Sequence, residues 1–310
     1  MLSRTASNIY WLTRYSERMS YVARLLSVAH RMANLSPGTN EWHSAIAAAG
    51  REQVFYEKYD DANAETVTQY LALDEGSSSS IAFCIEAARQ NARAVRASLT
   101  NDVWDAINGT WHEARNMTPG AIEASSLSAT LDWVTTRATL FEGAYRSTML
   151  RNDAYSFAAL GTAIERADNT ARILDVKYHI LLPKADMIGG SLDHYQWTAI
   201  LQAVSARRNY HWFYKDAVSP WNVAELLILR PQMPRSMRSS FDEIVRHLDL
   251  LADHYGGRAG ECHRIAGQMR AGLKYQRIET VLEEGLHEFL TGYIDQTIEL
   301  GDEIAYFYLM

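Results

Sequence analysis

"LGTAIERADNTARILDV", residues 160–176, has a near-copy earlier in the chain, "LTRYSERMSYVARLLSV", residues 12–28. At an offset of 148, Leu12, Glu17, Arg18, Ala23, Arg24, Leu26 and Val28 fall on Leu160, Glu165, Arg166, Ala171, Arg172, Leu174 and Val176. Ordinary residue usage gives about one match in a window of this size, so the chain reads as duplicated. The copies are helical in spacing. Around the first, Ile9, Leu12, Met19, Val22, Leu26 and Ala29 recur at three- and four-residue steps, the pattern of one buried helical stripe.

The same signal runs outward. The prolines, Pro37, Pro119, Pro183, Pro220, Pro231 and Pro234, leave long proline-free stretches with helical apolar spacing and no strand-like alternation, an all-α signature. A second long helix is expected from an N-cap at Asp153 to before Pro183, about 28 residues or roughly 42 Å. Further helices are expected over 41–58, 62–73, 78–99, 101–115, 126–150, 193–215, 220–229, 235–256, 258–276 and 278–308. The repeat also extends: Trp42 falls on Trp197 at an offset of 155, and Val67, Leu71, Leu73 and Ser80 fall on Val223, Leu227, Leu229 and Ser236 at 156. Loop-length changes account for the drift. The expected architecture is one all-α domain, a helical bundle of two related halves, about 1–152 and 153–310, with pseudo-two-fold symmetry and two long central helices.

Composition narrows the function. The 310 residues carry a formal charge of -7 with Lys and Arg dispersed among Asp and Glu, which gives no diffuse positive field for nucleic acid or an anionic membrane surface. The N-terminal stretch lacks a signal peptide's apolar segment, and no apolar run reaches 18 residues, so no membrane span is expected. Cys84 and Cys262 stand far apart outside any CxxC pattern, which argues against a disulfide framework or zinc site and for the cytoplasm. There is no Gly-rich phosphate loop, GxSxG or HExxH. Glu284 and His287 form a single ExxH without the second that a di-metal bundle needs, so neither metal nor cofactor is expected.

Several smaller features read as ordinary surface or core. His43, His112, His179, His247, His254 and His263 are scattered singly and read as surface or core-edge residues. Cys262 and His263 are adjacent and should point to different helix faces. The basic stretch Arg230 to Arg238 reads as a solvated turn, with capture of a small anion as the alternative. Aromatic residues around Tyr210 to Tyr214 read as core filling, with an exposed partner anchor as the alternative.

The repeated polar residues carry the functional question. On a helix, Tyr21 and Arg24 share the face of Glu17, with Arg14 and Arg18 about one side chain away; Glu165, Asn169 and Arg172 repeat that face. Ala23 and Ala171 leave room for close helix approach. One reading is a buried ionic layer that fixes helix register, each carboxylate meeting the planar fork of an arginine. The other is a shared cleft, in which Arg18, Arg24, Arg166 and Arg172 hold a carboxylate or phosphate. There Glu17 and Glu165 hold an amine or act as acid and base.

The segments "TASNIYWLTRYSERMSYVARLL" and "FAALGTAIERADNTARILDVKYHILL" resemble the bacterial alpha-E domain family. So do "FEGAYRSTMLRNDAYSF" before the second signature and "LRPQMPRSMRSSFDEIV" after it. The resemblance spans nearly the whole chain and implies an all-helical protein. It also implies a circularly permuted ATP-grasp ligase-like partner, with a transglutaminase-like peptidase often encoded nearby. By that association the chain is expected to assist peptide synthesis or modification, as a subunit, substrate carrier or second enzyme. An accessory role without catalysis of its own is favoured; acid-base catalysis in a Glu/Arg cleft and a purely structural scaffold are the alternatives. The signature residues carried over are Arg14, Glu17, Arg18 and Arg24, then Glu165, Arg166 and Arg172. Thr13, Met19 and Thr162 depart from the family's glycine, alanine and arginine, which leaves the second copy one guanidinium short.

Overall fold

The structure, a computed structural model, describes residues 1–35, 41–180 and 191–309; Pro37, Pro183 and the side chain of His179 lie outside what is described. All regular structure among the described residues is helical. The first half holds α1 (Ser3–Leu35), α2 (Glu41–Ala48), α3 (Glu52–Tyr56), α4 (Ala64–Thr68), α5 (Ile81–Ala94), α6 (Asn101–Ala114) and α7 (Leu127–Thr148). The second holds α8 (Asp153–Ile180), α9 (Ser191–Ala203), α10 (Arg207–Tyr214), α11 (Pro220–Ile228), α12 (Met237–His254), α13 (Glu261–Tyr275), α14 (Ile278–Glu284) and α15 (Leu286–Ile304). No helix among the described residues is long and apolar enough to cross a membrane.

The two long helices, α1 and α8, pack on each other at the centre. They run in the same direction, because the level of Tyr10 meets Gly161 and that of Arg18 meets Glu165. Helices α5 and α7 cover α1, while α12 and α15 cover α8. The shorter elements cross over: α2 packs on α8 as well as on α1, and α9 packs chiefly on α1. The long helices make a tight contact at Gly161. A Cβ there would collide with the Tyr10 carbonyl and the Thr13 hydroxyl, so Gly161 makes the room that the hydroxyl of its repeat mate Thr13 occupies. Ala23 and Ala171 are buried as well, but the tight point lies about three turns from them.

Three expected helices divide where one residue turns left-handed: 41–58 at Gly50 (φ 64°), 193–215 at Ser205 (φ 57°) and 278–308 at Gly285 (φ 109°). Apolar spacing continues through each break, which is why periodicity alone joins them. The first two close alike. The Arg51 N–H donates to the Ile46 carbonyl (3.3 Å), and the Ala206 N–H donates to the Leu201 carbonyl (2.7 Å), the six-to-one bond of a Schellman end. Helix starts also match across the repeat. Ser80 accepts from the Phe83 N–H at 3.1 Å and Ser236 from the Ser239 N–H at 2.9 Å, satisfying donors that a helix start leaves open. For α8 the capping oxygen belongs to Asn152, which accepts from the Tyr155 N–H at 3.3 Å, one residue before the expected Asp153.

Candidate functional site

Five of the seven sequence candidates, Arg14, Glu17, Arg18, Glu165 and Arg166, meet along the α1–α8 contact, and their pairing is crossed. Glu165 accepts from Arg18 of α1 through two bonds, Nε to Oε1 at 2.6 Å and Nη2 to Oε2 at 3.0 Å, and from Arg14 Nε at 2.8 Å. Glu17 accepts from Arg166 of α8 at 2.8 Å. Arg24, expected on the face of Glu17, bonds the end of α9 instead, while Arg14 and Arg18, one side chain from that face, reach across to Glu165. The offset of 148 exchanges the two cross-links, since Glu17–Arg166 becomes Glu165–Arg18.

The two carboxylates are buried, 6% and 2% exposed. Burial by itself raises a carboxyl pKa. At Glu17 the charges of Arg166 and Arg235 outweigh it, and at Glu165 those of Arg18 and Arg14 do, so both acids sit lowered at about 2. Arg166 also donates to Glu142 of α7 at 2.8 Å, and Glu142 is lowered too, against its burial, by that guanidinium.

Two members of this layer were not among the sequence candidates. Arg235, just before α12, donates to Glu17 at 2.5 Å and supplies the guanidinium that Thr162 lacks. The basic stretch Arg230 to Arg238 begins as the expected turn, exposed at Pro231, Gln232 and Pro234, but its arginines are paired: Arg230 with Glu225 at 2.7 Å, Arg235 with Glu17 and Arg238 with Asp242 at 3.0 Å. A signal existed, because Arg235 immediately precedes Ser236, which the repeat matches to Ser80. Glu142 likewise lies in "FEGAYRSTML", a segment of the resemblance, where nothing marked it as a partner of Arg166.

Arg24 and Arg172, mates in the repeat, face the helix ends described above. Arg24 donates to the Ala203 carbonyl and, at 3.3 Å, to Ser205 Oγ, at the end of α9. A cation suits a helix C-terminus, where carbonyls lack partners and the dipole is negative. Arg172 lies against Gly50, beyond the end of α2, where a Cβ would come 2.9 Å from its Nη1, and it pairs with Asp168 at 2.7 Å. Arg24 has no carboxylate within ion-pair distance among the described residues. Burial and the nearby Arg235 lower it to about 10.

Two cavities flank the layer. The larger, about 1000 Å³, lies between α1, α6, α7 and the end of α9 and reaches Arg24 and Arg31. Along α7 it exposes Thr135, Thr136 and Thr139, whose hydroxyls donate to their own helix and turn acceptor oxygens outward. The smaller, about 330 Å³, touches Glu165 and is lined by Arg14, Arg18, Arg51, Arg172, Asp168 and Asn169 among others. Glu17 borders neither cavity.

The remaining candidates take other places. His247 is buried beside the half-exposed Glu243 at 3.5 Å, at the edge of the core. Cys262 Sγ does meet His263 Nδ1, at 3.4 Å, despite their adjacency. Burial nevertheless raises the thiol to about 11, so it stays protonated at neutral pH. Tyr210 is buried and bonded to Ala217, while Trp212 of the same helix is 73% exposed. His287 bonds Asp175 at 2.7 Å.

An all-helical bundle whose two central helices are cross-linked by Glu-Arg pairs defines the class of this protein. It belongs to the Alpha-E family, described as a predicted alpha-helical domain with a conserved ER motif, and the match covers residues 1–309. No curated protein and no solved structure matches the chain.

Proposed function

We propose that this protein is an accessory or interaction subunit of an ATP-grasp peptide or amide ligase system, acting in peptide synthesis or modification without catalysis by its Glu-Arg motif. One observation carries the non-catalytic part. Both motif carboxylates are consumed in crossed ion pairs and lowered to about 2, which makes them poor bases near neutral pH. The motif is then the frame that holds α1 to α8. The ligase partner comes from the family resemblance, and a transglutaminase-like peptidase is a second partner of the same kind. The cavity beside Arg24, with its wall of acceptor oxygens, supports a role in holding a chain substrate for that partner. The crossed pairs, the matched ends at Gly50 and Ser205 and the matched caps at Ser80 and Ser236 support a duplicated domain with halves of about 1–152 and 153–310. Cys84 and Cys262 are buried free thiols, which suits the cytoplasm.

Affinity purification of the tagged chain from its own cells, with mass spectrometry of what co-elutes in stoichiometric amount, tests the reading. Recovery of an ATP-grasp protein is the expected result. Recovery of none, together with turnover of a peptide substrate by the isolated chain, would replace it.

A second reading, an acid-base enzyme, has one observation in its favour: the 330 Å³ cavity opens onto Glu165. It requires that Glu165→Gln abolish a measured turnover while the variant still folds.

A further inference from the structure

The cavity beside Glu165 is over-supplied with positive charge. Four guanidiniums line it, those of Arg14, Arg18, Arg51 and Arg172, against the two carboxylates of Glu165 and Asp168. Arg14 and Arg18 are spent on Glu165, and Arg172 on Asp168. Arg51 is not neutralised: it donates only to Ser79 Oγ at 3.1 Å and Ser78 Oγ at 2.8 Å. It has no carboxylate within ion-pair distance among the described residues.

Unused hydrogen-bonding capacity adds to the charge. Asn169 is 6% exposed and its Nδ2 donor has no acceptor among the described residues. Asp168 Oδ1 is buried and has no donor among them. Buried polar atoms without partners are uncommon, and each one costs free energy unless something supplies the missing bond. The backbone here also leaves space for the arginines: a side chain at Gly50 would press on Arg172, beside the start of α3 where Arg51 stands.

We propose that this cavity binds a small oxyanion, a phosphate or carboxylate group of a metabolite that also carries one hydrogen-bond donor. Arg51 and Asn169 hold the anion, Arg172 flanks it, and Asp168 Oδ1 accepts from the ligand's ammonium or hydroxyl. Guanidinium forks match both carboxylate and phosphate, and the excess of two positive charges in a partly closed space strengthens the attraction. Glu165 takes no part in the binding except to keep Arg14 and Arg18 in place. The inference goes beyond the accessory reading, because it concerns the isolated chain and stands or falls whether or not a ligase is captured.

Calorimetric titration of the purified protein with inorganic phosphate and with succinate, at low ionic strength, tests it. Binding of at least one is expected, with a melting temperature that rises with its concentration, as ligand linkage requires. Arg51→Gln is expected to weaken that binding by about tenfold or more, the loss of one charge-assisted contact. It should fold normally, since among the described residues the Arg51 side chain hydrogen-bonds only two serine hydroxyls. Asn169→Leu gives a second loss of affinity, and Arg264→Gln, whose partner is the exposed Glu261, should bind as the wild type does. Tighter phosphate assigns the site to a phosphorylated ligand, and tighter succinate to a carboxylate ligand. If neither binds at millimolar concentration, or Arg51→Gln binds as well as the wild type, the proposal fails.

Discussion

Glu17 and Glu165 occupy mated positions, yet their surroundings differ. Glu165 draws both its guanidiniums from α1, at Arg14 and Arg18, and its cluster opens onto a cavity. Glu17 draws one from α8 and the other from Arg235, a turn 218 residues away in sequence, and it borders neither of the two cavities. The first arrangement leaves arginine edges for water or a ligand; the second ties a third element, the start of α12, into the centre. One motif thus serves as a partly open site on one side and as a closed structural joint on the other.

Acid attacks both sides at once and gives the largest effect. Glu17 and Glu165 have folded pKa values lowered to about 2 from an ordinary 4.5. Between those values the unfolded chain binds protons that the folded one refuses, so stability is present above about pH 4.5 and is lost as pH falls toward 2. Each carboxylate is worth on the order of 3 kcal/mol by this linkage. From about pH 5 to about pH 3 roughly 4 kcal/mol of this is lost, and thermal melts should fall by roughly 6 °C. A flat profile over that range would mean that neither pair is formed.

Single truncations separate the two sides. Glu17→Ala leaves Arg166, only 10% exposed, and Arg235 with Glu142 as their nearby acid, and should cost about 3–5 kcal/mol. Glu165→Ala strands Arg14 and Arg18, but each is 17% exposed along the cavity. Arg14 also keeps the ring of Trp11, at 4.6 Å. Its cost should be lower, about 3 kcal/mol. Urea denaturation of the two variants decides, and a larger loss at Glu165 would overturn the open-versus-closed distinction.

What was legible in the sequence follows a physical divide. Proline spacing and three-four apolar steps report local geometry, so the all-helical class, α1 and the span of α8 could be read directly. The Glu-Arg cluster was legible because it occurs twice. Which arginine serves which glutamate was not, since face-sharing arguments apply within one helix and these bonds run between two. Arg235 and Glu142 were hidden for the same reason. Ser205 was hidden differently: only tertiary support, including the bond from Arg24, holds a serine at a positive φ where α2 uses glycine.

The helix crossing itself offers a test that should spare neither side. Gly161→Ala places a methyl group against the Tyr10 carbonyl and Thr13 hydroxyl, and backbone cannot give way as a flexible side chain does. Separating α1 from α8 should cost about 1–3 kcal/mol, the usual range for overpacking. Thr13→Gly in the same chain should recover part of the loss by clearing the hydroxyl. Failure of the second change to help would place the conflict wholly on the Tyr10 carbonyl.

The smallest effect bears most directly on the comparison. Arg14→Gln and Arg235→Gln each remove one of two guanidiniums from a mated carboxylate, so equal sites would respond equally. They should not. Without Arg14, Glu165 keeps the two-bonded fork of Arg18, and water from the cavity can fill the gap, for a loss of about 1 kcal/mol. Without Arg235, Glu17 keeps Arg166, already shared with Glu142, and the start of α12 is left with the bond from the Thr170 hydroxyl to the carbonyl of residue 235, for about 2 kcal/mol. Hydrogen exchange would add the location: faster exchange at the start of α12 is expected in Arg235→Gln alone, because Arg14 anchors no third element. Equal losses with unchanged exchange at α12 would show that Arg235 is an incidental neighbour and that Glu17 is held by Arg166 alone.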